Sequence, residues 1–578
     1  MAWLINAGLV TFVTELRYFV DYMKNILPGL GFVVTAILFS PFSAAKDVFK
    51  QEQDISRQDR LRGSVTPERA WWDLSHYHLD ISVDPKKQFI AGTNTMSYRV
   101  LSAGQRLQLE LQPPMVLQSV TQDGEPLKVD RDGYSYFITP EKEQEKGEEY
   151  QLVMTFSGRP LVAENPPWDG GITWQKDANG IDFIASAVQG VGASVWWPNK
   201  DHAYDEPDNG VLLSVEVPEH LVDVSNGRLI KVEEHPERQT KTYHWQVINP
   251  ISNYGININI GDYVHFGETY QGELGPLDMD YYVLRDNLAK AKKHFTDARR
   301  TMEAFEYWFG PYPFYEDGFK LVEAPYLGME HQSSVTYGNG YQNGYKGRDR
   351  SGTGWGLEFD FIIVHEAGHE WFANNITHRD IADMWIHESF TNYSENLFVE
   401  YFYGKQAGSE YSRGTRQNVL NDKPIIGVYN ANREGSFDMY PKGGNMLHTI
   451  RQVIDDDVLW RKILRGLNKD FYHKTVTGKQ VEQYIIRHSG KDLSKIFDQY
   501  LRDVRVPVLE YFVKGRQMKF RWSNTVDGFD MPVKARIGNE WLWLTPATAW
   551  SEFELKTPDA EVEIDSNFYI SVLNILGN

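Results

Sequence analysis

The chain has 578 residues, with 59 lysines and arginines against 79 aspartates and glutamates, a formal net charge of −20. That balance argues against nucleic acid as a partner. The absence of cysteine excludes disulfides and a lipid-modified N-terminal cysteine, and it leaves the compartment open. Length and an aromatic content of 14 % allow several domains with large apolar cores.

The first expected element is an export signal. Residues 25–45 carry no charge, follow Lys24, are rich in apolar side chains from Leu30 to Phe39, and end in Ser43-Ala44-Ala45. This is the layout of a secretory signal peptide cut after Ala45. Such signals do not carry two dozen residues ahead of the apolar core, so translation is expected to start at Met23, with residues 1–22 an upstream extension. The alternative is an uncleaved anchor, because the run approaches a membrane-spanning length. Beyond residue 45 no stretch is apolar enough to span a bilayer. The expected location is therefore exported, periplasmic or extracellular, with a membrane-anchored form as the alternative.

Residues 46–65 are charged and read as an extended linker. Polar–apolar alternation then dominates, as in residues 78–83, 106–111 and 150–154, separated by Gly and Asp turns. This predicts an N-terminal β-sheet domain over residues 66–268. Residues 287–309 read as one long helix stopped by Gly310-Pro311, and helical patterning continues to about residue 504. A mainly helical domain is expected over residues 269–505. Strands return after Pro507, at residues 518–522 and 541–544, for a small β domain over residues 506–578. The fold class is α+β, multidomain.

The helical domain contains His365-Glu366-Ala367-Gly368-His369 and, further on, Glu388 within Met384-Trp385-Ile386-His387-Glu388-Ser389-Phe390. Residues four apart on a helix lie one turn above each other, so His365 and His369 can share one metal. Glu366 points to the flank of that pair, where it can take a proton from water without ligating the ion. The apolar run 361–364 buries the other side of the helix, and Gly368 is expected to leave room at the metal face. A second apolar helix returning Glu388 supplies a third ligand. Two imidazoles and a carboxylate suit one Zn2+ per chain, with an open position where water is acidified to a pKa of about 7. The competing reading is a chance occurrence of the five-residue motif; Glu388 argues against it.

With eighteen residues between His369 and Glu388, this set resembles the gluzincins and, among them, the aminopeptidase N family. Leu327-Gly328-Met329-Glu330-His331 is similar to that family's Gly-x-Met-Glu-Asn motif, and Tyr440-Pro441-Lys442-Gly443-Gly444 to its Tyr-x-Lys-Gly-Ala motif. The resemblance covers roughly residues 66–578. It implies an N-terminal β-saddle, a thermolysin-like catalytic domain and a small C-terminal β-sandwich. A chain stopping at Asn578 has no room for the helical domain that closes over the cleft in larger relatives, so a more open cleft is expected. Three positions depart from the family pattern: Leu327 replaces Gly, and His331 and His387 each replace Asn. Both histidines are expected to be pocket or supporting residues rather than ligands.

The resemblance also implies roles. Gly328 and Met329 would form an edge strand that pairs with an extended peptide. Glu330 would hold the substrate's α-ammonium and block longer extensions, as an exopeptidase requires. Gln189, in Val188-Gln189-Gly190, matches a segment that helps bind the amine in relatives. The Tyr440 phenol would donate to the oxyanion. Glu395, seven residues after Glu388, would orient a ligand imidazole. Each has a plainer reading: a solvated Glu330, a packing Tyr440 with Tyr429 as its upstream rival, a surface Glu395, and Gln189 as an ordinary loop residue. The expected function is a zinc metalloaminopeptidase acting on peptides with a free N-terminus. The alternatives are an epoxide hydrolase-like activity, an endopeptidase on the same scaffold, and a catalytically silent peptide-binding protein. Residue preference and oligomeric state leave no mark in the sequence.

Overall fold

The computed structural model describes residues 55–104 and 106–576; the expected signal at residues 1–45 and residues 46–54 of the expected linker lie outside them. The rest of that linker is not extended throughout. Helix α1, Arg57–Gly63, begins with a capping box in which Ser56 and Asp59 satisfy each other's backbone N–H groups.

The alternating segments pair as their periodicity requires. An eight-stranded sheet runs in the order Arg228–His235, Thr240–Val247, Val211–Pro218, Trp72–Asp84, Phe89–Val100, Glu149–Gly158, Val116–Gln122, Glu125–Pro126. Trp72–Asp84 alternates buried and outward-facing residues along most of its length, so one face packs on a core while the other meets a polar environment. A four-stranded sheet and a three-stranded sheet complete this β-rich region.

The strand Tyr263–Gly272 runs straight through the expected boundary at residue 268. It pairs with Gly275–Leu284, which continues into Phe319–Glu323, Val335–Tyr337 and finally Gly328–Met329. Gly328–Met329 is thus the terminal strand of its sheet, as expected for a peptide-pairing edge. Met329 packs into the core of the β-rich region, while Leu327 packs into that of the helical part.

The expected single helix over residues 287–309 is broken. The segment Leu288–His294 stops at Phe295, and α2 follows as Thr296–Phe309. Phe295 is buried against Tyr281, Tyr337 and Tyr341, so tertiary packing overrides a continuous helical pattern. Four further helices shape the site: α3 (Phe361–Gly368), α4 (Trp385–Tyr403), α5 (Lys405–Thr415) and α6 (Pro441–Ile454). The C-terminal residues form a four-stranded and a three-stranded sheet. Their apolar residues, including Leu509, Trp522 and Phe568, join the same continuous core as α2 to α6. Among the described residues no helix is long and apolar enough to cross a membrane.

Candidate active site

Helix α3 is fixed at its start. The Asp360 carboxylate accepts from the backbone N–H groups of Ile362 and Ile363, at 2.9 and 3.2 Å, which satisfies two otherwise orphaned donors. It also accepts from Tyr337 and pairs with His294. The helix ends at Gly368, and a kink at Phe372 and Ala373 turns the chain away. Gly368 does not serve the metal face, as the sequence led us to expect. A Cβ there would lie 2.7 Å from Ser394 Oγ and 3.2 Å from Thr391 Cγ2, so the glycine lets α3 approach α4.

That approach brings the three expected ligands together. The His365 and His369 rings are 5.0 Å apart, and their Nε2 atoms lie 3.8 and 3.4 Å from Glu388 Oε2. The other ring nitrogens are engaged: His365 Nδ1 is 2.7 Å from Glu395 Oε1, and His369 Nδ1 is 3.0 Å from the Phe372 carbonyl oxygen. Both imidazoles therefore donate through Nδ1 and present Nε2 towards Glu388. Glu395 is fully buried and also accepts from the Tyr411 hydroxyl at 2.6 Å, which rules out a surface glutamate.

The residues fit a zinc ion. Glu388 Oε2 is buried without a hydrogen-bond partner, a costly state unless a positive charge faces it. Burial alone would push His369 down, but the Glu388 and Glu330 carboxylates outweigh it and hold the imidazole up at about 9. The cluster thus attracts positive charge, and a metal would displace protons from it. Two imidazoles and one carboxylate are a zinc donor set that leaves a position open.

Glu366 is buried beside these ligands. Burial pushes its carboxyl up to about 7 against the pull of His365, so it can gain and lose a proton near neutrality. Gly328 makes room for it: a Cβ there would lie 2.6 Å from Ile362 Cγ2 and 3.0 Å from Glu366 Oε1. Glu330 is also buried, not solvated. Its Oε1 accepts from Gln189 Nε2 at 2.5 Å and from the Tyr254 hydroxyl at 3.2 Å, and its main-chain oxygen accepts from Asn374 Nδ2 at 2.9 Å. Gln189 is therefore a partner of Glu330 rather than a free loop residue.

Tyr440 immediately precedes α6, with Pro441 at the first helical position. Its ring stacks on His365 at 5.9 Å and 26°. Burial, reinforced by Glu388, Glu330 and Glu366, pushes its hydroxyl well up, so it remains a donor at neutral pH. The rival Tyr429 instead donates to Asp383, at 2.7 Å. Gln189, Gly328, Met329, Glu330, His365, Glu366, His369, Glu388, Glu395 and Tyr440 all line one cleft of about 420 Å³, and Leu327 lines it too.

Of the two roles expected for His331 and His387, pocket or supporting, the pocket one does not apply, because neither lines that cleft. His331 is 3.1 Å from Asn257 Nδ2, and burial pushes it down to about 3. His387 Nε2 accepts from the backbone N–H of His378 at 2.9 Å. Three contributors escaped sequence reading. Tyr254 and Tyr411 reach Glu330 and Glu395 from sequence distances of 76 and 16 residues. Arg62 of α1 pairs with Asp201 at 3.0 Å and donates to the Gly190 carbonyl at 3.1 Å, which holds the Gln189 loop. No motif marks these positions.

Fold and site together place a buried His365–His369–Glu388 cluster that could hold a metal ion inside the helical domain. Residues 295–500 match the Peptidase family M1 domain. It is 22 % identical over 441 residues to "Probable aminopeptidase 1" of Sulfurisphaera tokodaii, covering 73 % of this chain and 52 % of that protein. It is 24 % identical over 473 residues to an "Aminopeptidase N" of Lactobacillus helveticus, covering 76 % and 52 %. The chain thus spans about half the length of the curated relatives it matches. Among solved structures, an M1 zinc metallopeptidase from Deinococcus radiodurans shares the fold, with a TM-score of 0.65 at 19 % identity over 76 % of this chain and 95 % of that one. A two-domain M1 zinc metallopeptidase bound to L-tryptophan gives 0.64 at 20 % identity, covering 76 % and 96 %.

Proposed function

We propose that this chain is a zinc-dependent aminopeptidase that removes residues one at a time from the free N-terminus of peptides. The observation that carries this reading is the spacing of Glu330. Ligand atoms of Glu330, Glu366 and His369 lie within 4.8 Å of one another, and His369 also belongs to the His365–His369–Glu388 set. A carboxylate that pairs with an α-ammonium at that distance leaves space for a single residue before the scissile carbonyl.

His365, His369 and Glu388 would hold one zinc per chain, with Glu395 fixing the His365 ring. When bound, the ion supplies Lewis-acid polarisation of a carbonyl oxygen and acidification of water. The remaining steps belong to side chains of this protein. Glu330, held by Gln189 and Tyr254, pairs with the ammonium. The edge strand Gly328–Met329 hydrogen-bonds the substrate main chain. Glu366 accepts a proton from the attacking water and delivers it to the leaving amine. Tyr440 donates to the oxygen on which negative charge develops.

The finer architecture we propose is a β-saddle over the first sheets, a thermolysin-like arrangement of α2 to α6, and a β-sandwich formed by the last two sheets. Export is proposed on the composition of residues 25–45, and N-terminal sequencing of the mature protein tests it, with Lys46 as the expected first residue. Time-resolved mass spectrometry of a decapeptide digest tests the activity. A ladder losing one N-terminal residue at a time is expected, and internal fragments appearing first would overturn the aminopeptidase reading.

A further inference from the structure

The cleft is lined by the carboxylates of Glu330, Glu366, Glu388, Glu395, Glu434 and Asp438, and, among the described residues, by one lysine or arginine, Arg350. The Arg350 guanidinium forms no ion pair with any described carboxylate. It lies 4.9 Å from the Tyr345 ring and 6.0 Å from the Phe361 ring.

The backbone beneath it is pinned. The Arg350 carbonyl oxygen accepts from Gln417 Nε2 at 3.1 Å and Asn418 Nδ2 at 2.9 Å. One residue earlier, Asp349 accepts from the backbone N–H groups of Ser351 and Gly354. One residue later, Ser351 lies so close to α5 that a Cβ on Gly414 would sit 2.2 Å from its carbonyl oxygen. A cation on a fixed backbone, resting on an aromatic face, has little conformational freedom left to lose on binding an anion.

Its position along α3 gives it a place relative to the substrate. Phe361, His365 and His369 occupy successive turns of one helix face, and the Phe361 ring stacks on His365 at 5.2 Å and 13°. Glu330 sits at the His369 end of this row, whereas Arg350 lies 6.0 Å from the ring of Phe361, the residue at the other end. The guanidinium is thus at most about 11 Å from the His365 ring, no more than the span of roughly three extended residues.

We propose that Arg350 is a carboxylate-binding site for the leaving portion of the substrate, two to three residues beyond the scissile bond. The proposal rests on the aminopeptidase reading, because Glu330 sets the direction in which the peptide lies. In an otherwise acidic cleft, a carboxylate arriving elsewhere meets like charge, so this one cation selects both its place and its sign. The matching substrates are tri- and tetrapeptides with a free C-terminus, or longer peptides with an acidic side chain at that distance. The planar guanidinium can take either carboxylate in a two-point contact.

The test compares kcat/KM for trialanine and tetra-alanine as free acids and as C-terminal amides. A second pair of blocked pentapeptides carries glutamate or glutamine at the third or fourth position. The wild-type enzyme is expected to prefer the carboxylate form by about tenfold in at least one pair, a charged hydrogen bond's worth. Which pair shows it identifies the source of the carboxylate. Arg350→Gln should remove the preference, and Arg350→Lys should retain part of it. Both variants should hydrolyse aminoacyl-anilides, which carry no such carboxylate, at the wild-type rate. Absence of any carboxylate preference in the wild type, persistence of the preference in Arg350→Gln, or an equal loss on anilides would each overturn the proposal. Failure of the wild type to hydrolyse anilides at all would count against the aminopeptidase reading instead.

Discussion

Replacing Glu395 by glutamine probes how the metal ligands are held, because the change removes a charge while nearly preserving shape. In the native protein Oε1 accepts from His365 Nδ1 at 2.7 Å and Oε2 accepts from the Tyr411 hydroxyl at 2.6 Å, with the side chain shut away from water. Glutamine can keep one acceptor for the imidazole, but it turns a charge-assisted hydrogen bond into a neutral one of about half the strength. It also places an amide donor opposite a tyrosine that was itself donating, so Tyr411 must reorient. A loosened, less basic His365 is a poorer ligand, and such outer partners typically contribute about 10- to 100-fold in metal affinity. Zinc affinity of Glu395→Gln, measured by competition with a chromophoric chelator at neutral pH, is therefore expected to fall by about 10- to 100-fold. Activity should largely return at saturating zinc. An affinity within twofold of wild type would refute the idea that Glu395 orients the ligand.

Tyr440→Phe keeps the ring that stacks on His365 and removes only the hydroxyl; kcat should fall by about 100-fold, near 3 kcal/mol, with little change in KM. An equal fall in kcat/KM caused by KM alone would contradict the oxyanion role. Gly63→Ala places a Cβ 2.1 Å from the Ala431 carbonyl carbon, so α1 must shift, at a cost of about 1–3 kcal/mol. Calorimetry should show a lowered Tm; an unchanged one would refute the tight contact. Burial pushes Glu206 up to about 8, so between pH 4.5 and 8 the folded state holds a proton that the unfolded chain has released. The stability contribution of this group is therefore intact at low pH and is lost as pH rises through that window. Glu206→Gln, which keeps an acceptor for the Thr377 hydroxyl, should raise Tm over wild type above pH 8 and leave it unchanged near pH 4.5. The opposite trend would show that Glu206 is charged in the folded state.

The residues legible in the sequence were those whose chemistry demands a fixed local spacing. His365 and His369 need one helical turn between them, and Glu388 needs a second helix with its own apolar pattern, so periodicity and motif agreed. The buried face of α6, with Met446, Leu447, Ile450, Val453 and Ile454, was equally plain, and all five are buried. What could not be read depends on contacts between distant segments. Phe295 looks like any residue of an amphipathic helix until Tyr281, Tyr337 and Tyr341 surround it. Gly368 reads as space for a metal until Ser394 and Thr391 of α4 are seen beside it. Arg62, Tyr254 and Tyr411 carry no signature because their partners lie elsewhere in the chain. The histidines that invited a role in the pocket, His331 and His387, are instead buried outside the cleft, bonded to Asn257 and to the backbone of His378.

The central claim is that a zinc centre and an amine-reading carboxylate act on the same substrate. Its most direct test is the rate of aminoacyl-anilide hydrolysis, measured with free and N-acetylated substrates before and after metal removal by a chelator. We expect hydrolysis of the free-amine substrate alone, its loss on metal removal, and its recovery on adding zinc. Equal rates on the acetylated substrate, or full activity in the metal-free protein, would contradict the account.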